Sequence, residues 1–245
     1  MEWRDDGLIL GRRDHGETSV ILEAMTRAHG RYFGLVRSGR SQRLRPILQP
    51  GTQVEFVWRA RLDEHLGIFA IEPVKSRTAC MMASAEALHA ICLVAALLRL
   101  AAERDPHPEL YEGAARIAGH IERPEMLPPL LVHFEAEILA QMGFGLDLSR
   151  CAATGATEGL IYVSPKTGRA VSEAAGEPYK LRLLPLPAFL LHRGAENPSP
   201  SDIRDGFKLT GFFLMRDLFE PRGAALPEAR RAYLAELEKR FRTTA

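Results

Sequence analysis

Three cysteines in 245 residues are too few for a disulfide scaffold, and the scarcity fits a reducing compartment. Long apolar runs are missing as well. The longest uncharged one, Ala87 to Leu98, is closed by Glu86 and Arg99. It is well short of the ~20 residues that a spanning helix needs, so no membrane role is expected. The opening residues, Met1-Glu-Trp-Arg-Asp-Asp6, carry too much charge for a secretory leader. Lysine is rare, 5 against 27 arginines, and the 32 basic residues face 31 acidic ones for a formal net charge of +1. Global charge therefore selects no polyanionic partner, and any electrostatic one must be read from local distribution. Catalytic signatures are absent too. There is no Gly-x-Ser-x-Gly, no His-Glu-x-x-His and no Gly-x-x-x-x-Gly-Lys-Ser/Thr. Lys166-Thr-Gly168 has no companion Ser-x-x-Lys, and His89, His120 and His133 have no paired ligand at i+4. These gaps point away from an enzyme and toward a binding protein of the cytoplasm.

What is present is core-forming material, 46% hydrophobic and 26% charged, arranged in three styles. Residues 1–78 hold five short runs rich in β-branched and aromatic residues, at 7–10, 19–25, 31–36, 54–59 and 65–71. Thr26-Arg-Ala-His-Gly30 reads as a hairpin turn, and so many short strands in so few residues predict a small closed barrel. From residue 79 the period changes. Met82, Ala85, Leu88, Ile91, Cys92, Ala95 and Leu98 fall on one helix face by spacing. Pro108 suits the first turn of a second helix. Leu130, Leu131, Phe134, Ile138, Leu139 and Met142 line a third that stops at Gly143, with Glu135 and Glu137 read as its wet face. Residues 144–200 are rich in Pro and Gly and read as irregular, with a hairpin near 159–163. Helical spacing resumes in Leu209, Phe212, Phe213, Leu218 and Phe219, and again in Tyr233, Leu237 and Phe241. The expected architecture is α+β and multi-domain: a barrel over 1–78, then a helical domain over 79–245 interrupted by 144–200.

One charge feature stands out. Between Ala24 and Val54 there is no Asp or Glu, while Arg27, Arg31, Arg37, Arg40, Arg43 and Arg45 all fall in that window. Arginine abundance follows nucleotide bias readily; the missing carboxylates do not. Arg37-Ser-Gly-Arg-Ser-Gln-Arg-Leu-Arg45 mixes guanidinium forks with hydroxyls, and both donate to phosphate oxygens. Tyr32, Phe33, Phe56 and Trp58 lie on neighbouring strands, where they either stack bases or fill the barrel; filling is the commoner use.

Taken together the pieces resemble the RecO family of bacterial recombination-repair proteins. The resemblance is carried by Asp6-Gly-Leu-Ile-Leu10, Arg12-Arg-Asp-His-Gly-Glu-Thr-Ser19, Thr26-Arg-Ala-His-Gly-Arg31, Gly34-Leu-Val-Arg-Ser-Gly-Arg40 and Leu48-Gln-Pro-Gly51. Phe134-Glu-x-x-Ile-Leu, running on to Gly143-Phe-Gly-Leu-Asp-Leu148, belongs to it too. It implies an N-terminal OB-fold, a helical body and a zinc-ribbon-like insertion. It implies binding of single- and double-stranded DNA and annealing of complementary strands. It further implies, with RecR, loading of RecA onto DNA coated by single-stranded-DNA-binding protein, whose C-terminal tail is the expected peptide partner. Such a protein is cytoplasmic and nucleoid-associated. DNA-binding residues carried over by position are Arg31, Arg37, Arg40, Arg43 and Arg45, with Arg12, Arg13 and Arg27 as weaker candidates. Many relatives hold zinc with four cysteines in the insertion. Here only Cys151 remains and Thr154 stands where a Cys-x-x-Cys partner belongs, so no metal or other cofactor is expected and packing by Leu160, Ile161, Tyr162 and Val163 must hold the insertion. Two other readings compete: an OB-type RNA-binding or translation module, and a protein-interaction scaffold whose barrel is inert.

Overall fold

The computed structural model describes residues 1–191 and 198–244. The chain opens with β1 (Glu2–His15), β2 (Ser19–Thr26), β3 (Gly30–Val36), β4 (Gln53–Arg59) and β5 (Ile68–Lys75). They hydrogen-bond in the order β1-β2-β3-β5-β4, and β4 returns to pair with β1, so the sheet closes on itself. Every pairing is antiparallel except β3 with β5. All five expected strands are present. The first is much longer than its apolar stretch because residues 2–6, four of them charged, still pair, Glu2 with Arg59 through Asp6 with Glu55.

Alternation explains the interior. Val54, Phe56 and Trp58 point inward along β4, and Tyr32 does so from β3. The fully buried Trp58 donates its indole N–H to the Leu66 carbonyl at 3.1 Å. Tyr32, Phe56 and Trp58 therefore fill the sheet and offer no stacking face; Phe33 is half-buried. In contrast, β2 is buried along nearly its whole length, which is why its sequence reads as a continuous apolar run rather than an alternating one. The β2–β3 turn takes the shape that Gly30 permits, at φ 72. A Cβ there would stand 2.0 Å from the Asp105 carbonyl oxygen.

Helices α1 (Thr78–Ala83), α2 (Ala85–Leu98) and α3 (Pro108–Gly119) follow, with Pro108 in the first turn of α3 as its fixed φ favours. The expected face of α2 needs correction. Ser84 breaks the helical run and accepts from the Ala87 amide as the cap of α2. The buried residues are Ala87, Ala90, Ile91, Val94, Leu97 and Leu98, among others; Met82 is 84% exposed and Leu88 is exposed. The apolar run is nearly continuous, so spacing alone left several stripes open. Helix α4 (Leu127–Gln141) comes next.

The irregular region contains a small sheet in the order β7-β6-β8, made of β6 (Leu160–Val163), β7 (Ala170–Ser172) and β8 (Leu184–Pro185), with a single turn α5 (Glu173–Gly176) after β7. Helix α6 (Pro200–Phe213) starts with a capping box between Ser199 and Asp202 and runs into a π-helical stretch, Leu214–Phe219; α7 (Glu228–Thr244) ends the described chain.

By compactness the chain divides into 1–127 with 227–245, and 128–226. In the first unit α7 packs on α2, where the Tyr233 hydroxyl and the Arg240 guanidinium both reach Glu86, each at 3.4 Å. In the second, α6 lies on α4. Glu135 is fully buried there and accepts from the Thr210 hydroxyl, so it is no wet-face residue. A compact unit thus joins the closed sheet to helices that sequence assigns beyond residue 78.

Candidate nucleic-acid interface

The acid-free window spans β3 and the β3–β4 loop, residues 37–52. Its backbone is fixed at several points. Ser38 leaves β3 at φ 53. Gly39 presses against the sheet so closely that a Cβ would meet Val20 Cγ2 at 2.5 Å. The Arg45 and Leu48 amides donate to the Ser41 and Leu44 carbonyls at 3.0 and 2.9 Å, giving successive helical turns. Leu48 is wholly buried against the sheet interior, with Leu44 and Ile47 packed beside it. The loop is therefore a plug for the closed sheet, held by its apolar residues, and its polar residues are left outside.

The arginines divide by what they meet. Arg37, Arg43 and Arg45 are exposed, and among the described residues no carboxylate or carbonyl engages their guanidinium groups. Arg40 stitches the loop to the β1–β2 turn. Its amide donates to the Thr18 carbonyl at 3.0 Å, its guanidinium donates to the Gly16 carbonyl at 3.1 Å, and Nε stands 3.6 Å from Asp14. Arg13, exposed at the end of β1, is on the hairpin this stitch draws in; Arg12 is half-buried.

Arg31 does not belong with the loop. Its side chain is only 17% exposed, and it donates to Glu23 at 2.9 Å and to the Ala101 carbonyl at 3.0 Å. Glu23 also accepts from Arg99 at 2.8 Å. A phosphate contact at Arg31 would have to compete with these partners, which tie β3 to the segment after α2. Arg27 is engaged as well, by Glu112 and over the Tyr111 ring. Glu23 escaped the sequence reading, although a lone carboxylate in Val20-Ile-Leu-Glu-Ala-Met25 was a signal that a cation must face it.

Among its described residues the insertion gathers no set of metal ligands. Cys151 Sγ accepts from the Ser172 amide at 3.2 Å and its hydroxyl at 3.3 Å. Burial pushes the thiol up, but donation from Ser172 and Thr154, by hydroxyl and amide alike, outweighs it and holds the group down to about 6. One sulfur among neutral hydroxyls does not make the roughly four N/S ligands of a closed zinc site. Among the described residues no group of three or more His, Cys, Asp or Glu could hold a metal ion. Packing contributes less than expected, since Leu160 and Val163 are buried while Ile161 is exposed and Tyr162 half-buried. Among the described residues no helix is long and apolar enough to cross a membrane.

A closed sheet with a basic plug, followed by helices, defines a two-part α+β protein, and comparison with known proteins says which kind. Residues 1–77 match the family model for the N terminus of recombination protein O, and residues 83–225 match that for its C terminus. DNA repair protein RecO of Methylocella silvestris is 69% identical over 242 residues, covering 98% of this chain and 97% of that protein. Those of Beijerinckia indica and Mesorhizobium japonicum are 57% and 51% identical, covering 98% and 99% of this chain and 97% and 96% of their own lengths. The chain belongs to the RecO family, and its role lies in DNA repair.

Proposed function

We propose that the chain binds the backbone of single- and double-stranded DNA through the β3–β4 loop and anneals complementary strands. With RecR it then loads RecA onto DNA coated by single-stranded-DNA-binding protein, whose C-terminal tail it engages. The closed sheet is read as an OB-type barrel, in keeping with its strand order and the helical turns between β3 and β4. The observation that carries the DNA reading is the exposure of Arg37, Arg43 and Arg45, without a partner among the described residues, on a backbone that is already fixed. Guanidinium groups so held reach phosphate at little ordering cost.

OB-type barrels commonly use the face of strands 2 and 3 for ligands. Here β2 is buried and the strand aromatics Tyr32, Phe56 and Trp58 are interior. Of the aromatics singled out only Phe33 is half-exposed there, with the Arg31 guanidinium over its ring, so contact falls mainly to the phosphate chain. This suits annealing. Two strands repel through their phosphates, so a protein that neutralises both lowers the barrier to encounter, and it must leave base edges free to pair. No bond is made or broken, and the function needs no catalytic group. Arg40 contributes to the same surface mainly by holding the loop to the β1–β2 turn.

The test is an annealing assay with complementary oligonucleotides at two salt concentrations, with and without single-stranded-DNA-binding protein and RecR. The proposal expects accelerated annealing that weakens steeply with salt and persists on coated strands. A rate equal to that of DNA alone at low salt would overturn it.

A further inference from the structure

We infer that the turn 151–156 is clamped to β7 by a metal-free sulfur hub, in which Cys151 Sγ takes as hydrogen-bond acceptor the bridging place a bound metal holds in a knuckle of this layout. The sulfur is fully buried and joins segments 21 residues apart. On one side the turn closes through the Cys151 amide on the Ala156 carbonyl, 2.7 Å, and the Gly155 amide on the Cys151 carbonyl, 2.9 Å. On the other, Ser172 ends β7 and gives the sulfur both its amide and its hydroxyl. Thr154, within the turn, also holds the thiol down through its hydroxyl and amide. Neighbouring backbone bonds, from the Ala152 amide to the Ala170 carbonyl at 2.8 Å and from the Ala170 amide to the Asp147 carbonyl at 2.9 Å, run parallel to this link.

The region needs such a link. Strands of four, three and two residues bury little apolar surface of their own. A sulfur surrounded by donors is also not a ligand in waiting. The Ser172 amide and hydroxyl donate to it, and a cation placed there would meet the positive ends of those dipoles and a single thiol. Side chains at 154 and 172, in contrast, are already gathered round one point. Thiols there in place of hydroxyls would assemble three sulfurs around a cation.

Three measurements on the full chain, purified without chelator, test the hub. Wild-type protein should contain substoichiometric zinc by mass spectrometry and unfold at the same temperature with and without EDTA. Ser172→Ala should lower Tm by about 2–4 °C, the shift expected for one hydrogen bond in a chain of this size. Thr154→Cys with Ser172→Cys should bind Co2+ with the visible absorption of a thiolate complex and acquire EDTA-sensitive unfolding. Stoichiometric zinc in the wild type, an EDTA-dependent Tm, or an unchanged Tm for Ser172→Ala would overturn the hub. Absence of Co2+ binding by the double variant would overturn its placement at a metal position.

Discussion

Arg27 and Arg31 lie where the β2–β3 turn enters β3, and Arg37, Arg43 and Arg45 lie on the loop that leaves β3 at its other end. The first pair meets carboxylates, Glu112 for Arg27 and Glu23 for Arg31. The second group meets none among the described residues. All five come from the same acid-free stretch of sequence, so the difference is made wholly by what folds against them. Helix α3 brings Glu112, the connection after α2 brings the Ala101 carbonyl, and the neighbouring strand brings Glu23. At the other end the loop is fixed by Leu44, Ile47 and Leu48, and apolar anchors do not consume charge. Local net charge therefore marks a region in which some cations are structural and others are available.

Substitutions can break this contrast. The largest expected effect is on the sheet interior that both ends share. Trp58→Ala should cost about 3–5 kcal/mol by urea unfolding, because it empties a fully buried site and orphans the Leu66 carbonyl. A mild loss of stability with a large loss of DNA affinity would instead make Trp58 a stacking residue. Next comes Glu23→Ala, which leaves Arg31 and Arg99 without their shared carboxylate. The expected loss is about 3 kcal/mol, at the low end for a buried pair because the Arg99 side chain is 43% exposed. DNA binding by the folded fraction should hold.

The same logic, that a fixed group is claimed by its neighbours, extends to Cys151. Its folded thiol is depressed to about 6, below the ordinary value near 8.5, by donors that are all neutral. A depressed acid stabilises the fold above its unfolded pKa and loses that contribution as pH falls through the folded one. The stability of wild type relative to Cys151→Ser should therefore rise from pH 6 to about pH 9 and level off beyond it. A flat difference over that window would show that the sulfur stays protonated. The smallest effect is at Arg27→Ala: its pair with Glu112 is half-exposed, so stability should change by less than about 1 kcal/mol and the salt dependence of DNA binding not at all.

Much of this arrangement was legible in the sequence. The five strands announced themselves through β-branched and aromatic runs, and the Thr26–Gly30 turn through its glycine, because both signals are local. The face of α2 was not legible. Its apolar run offers several helical stripes, and only the packing of α7 and the sheet selects among them. Glu135 misled for a related reason: a carboxylate beside an apolar seam is usually wet, and the Thr210 hydroxyl that permits its burial is 75 residues away. At the interface the loop was visible as charge, while the engagement of Arg31 depended on Glu23, a residue inside an apolar strand whose partner sequence spacing could not supply. The sulfur hub was half visible, as a cysteine without companions.

The most direct test of the backbone-grip account is the salt dependence of single-stranded DNA binding by the Arg37→Ala, Arg43→Ala, Arg45→Ala triple variant. Removing one phosphate-binding guanidinium should lower the slope of log affinity against log salt by about 0.7, so the account predicts a fall of about 2 for all three, together with weaker binding to every sequence tested. A folded triple variant with wild-type affinity and slope would contradict it.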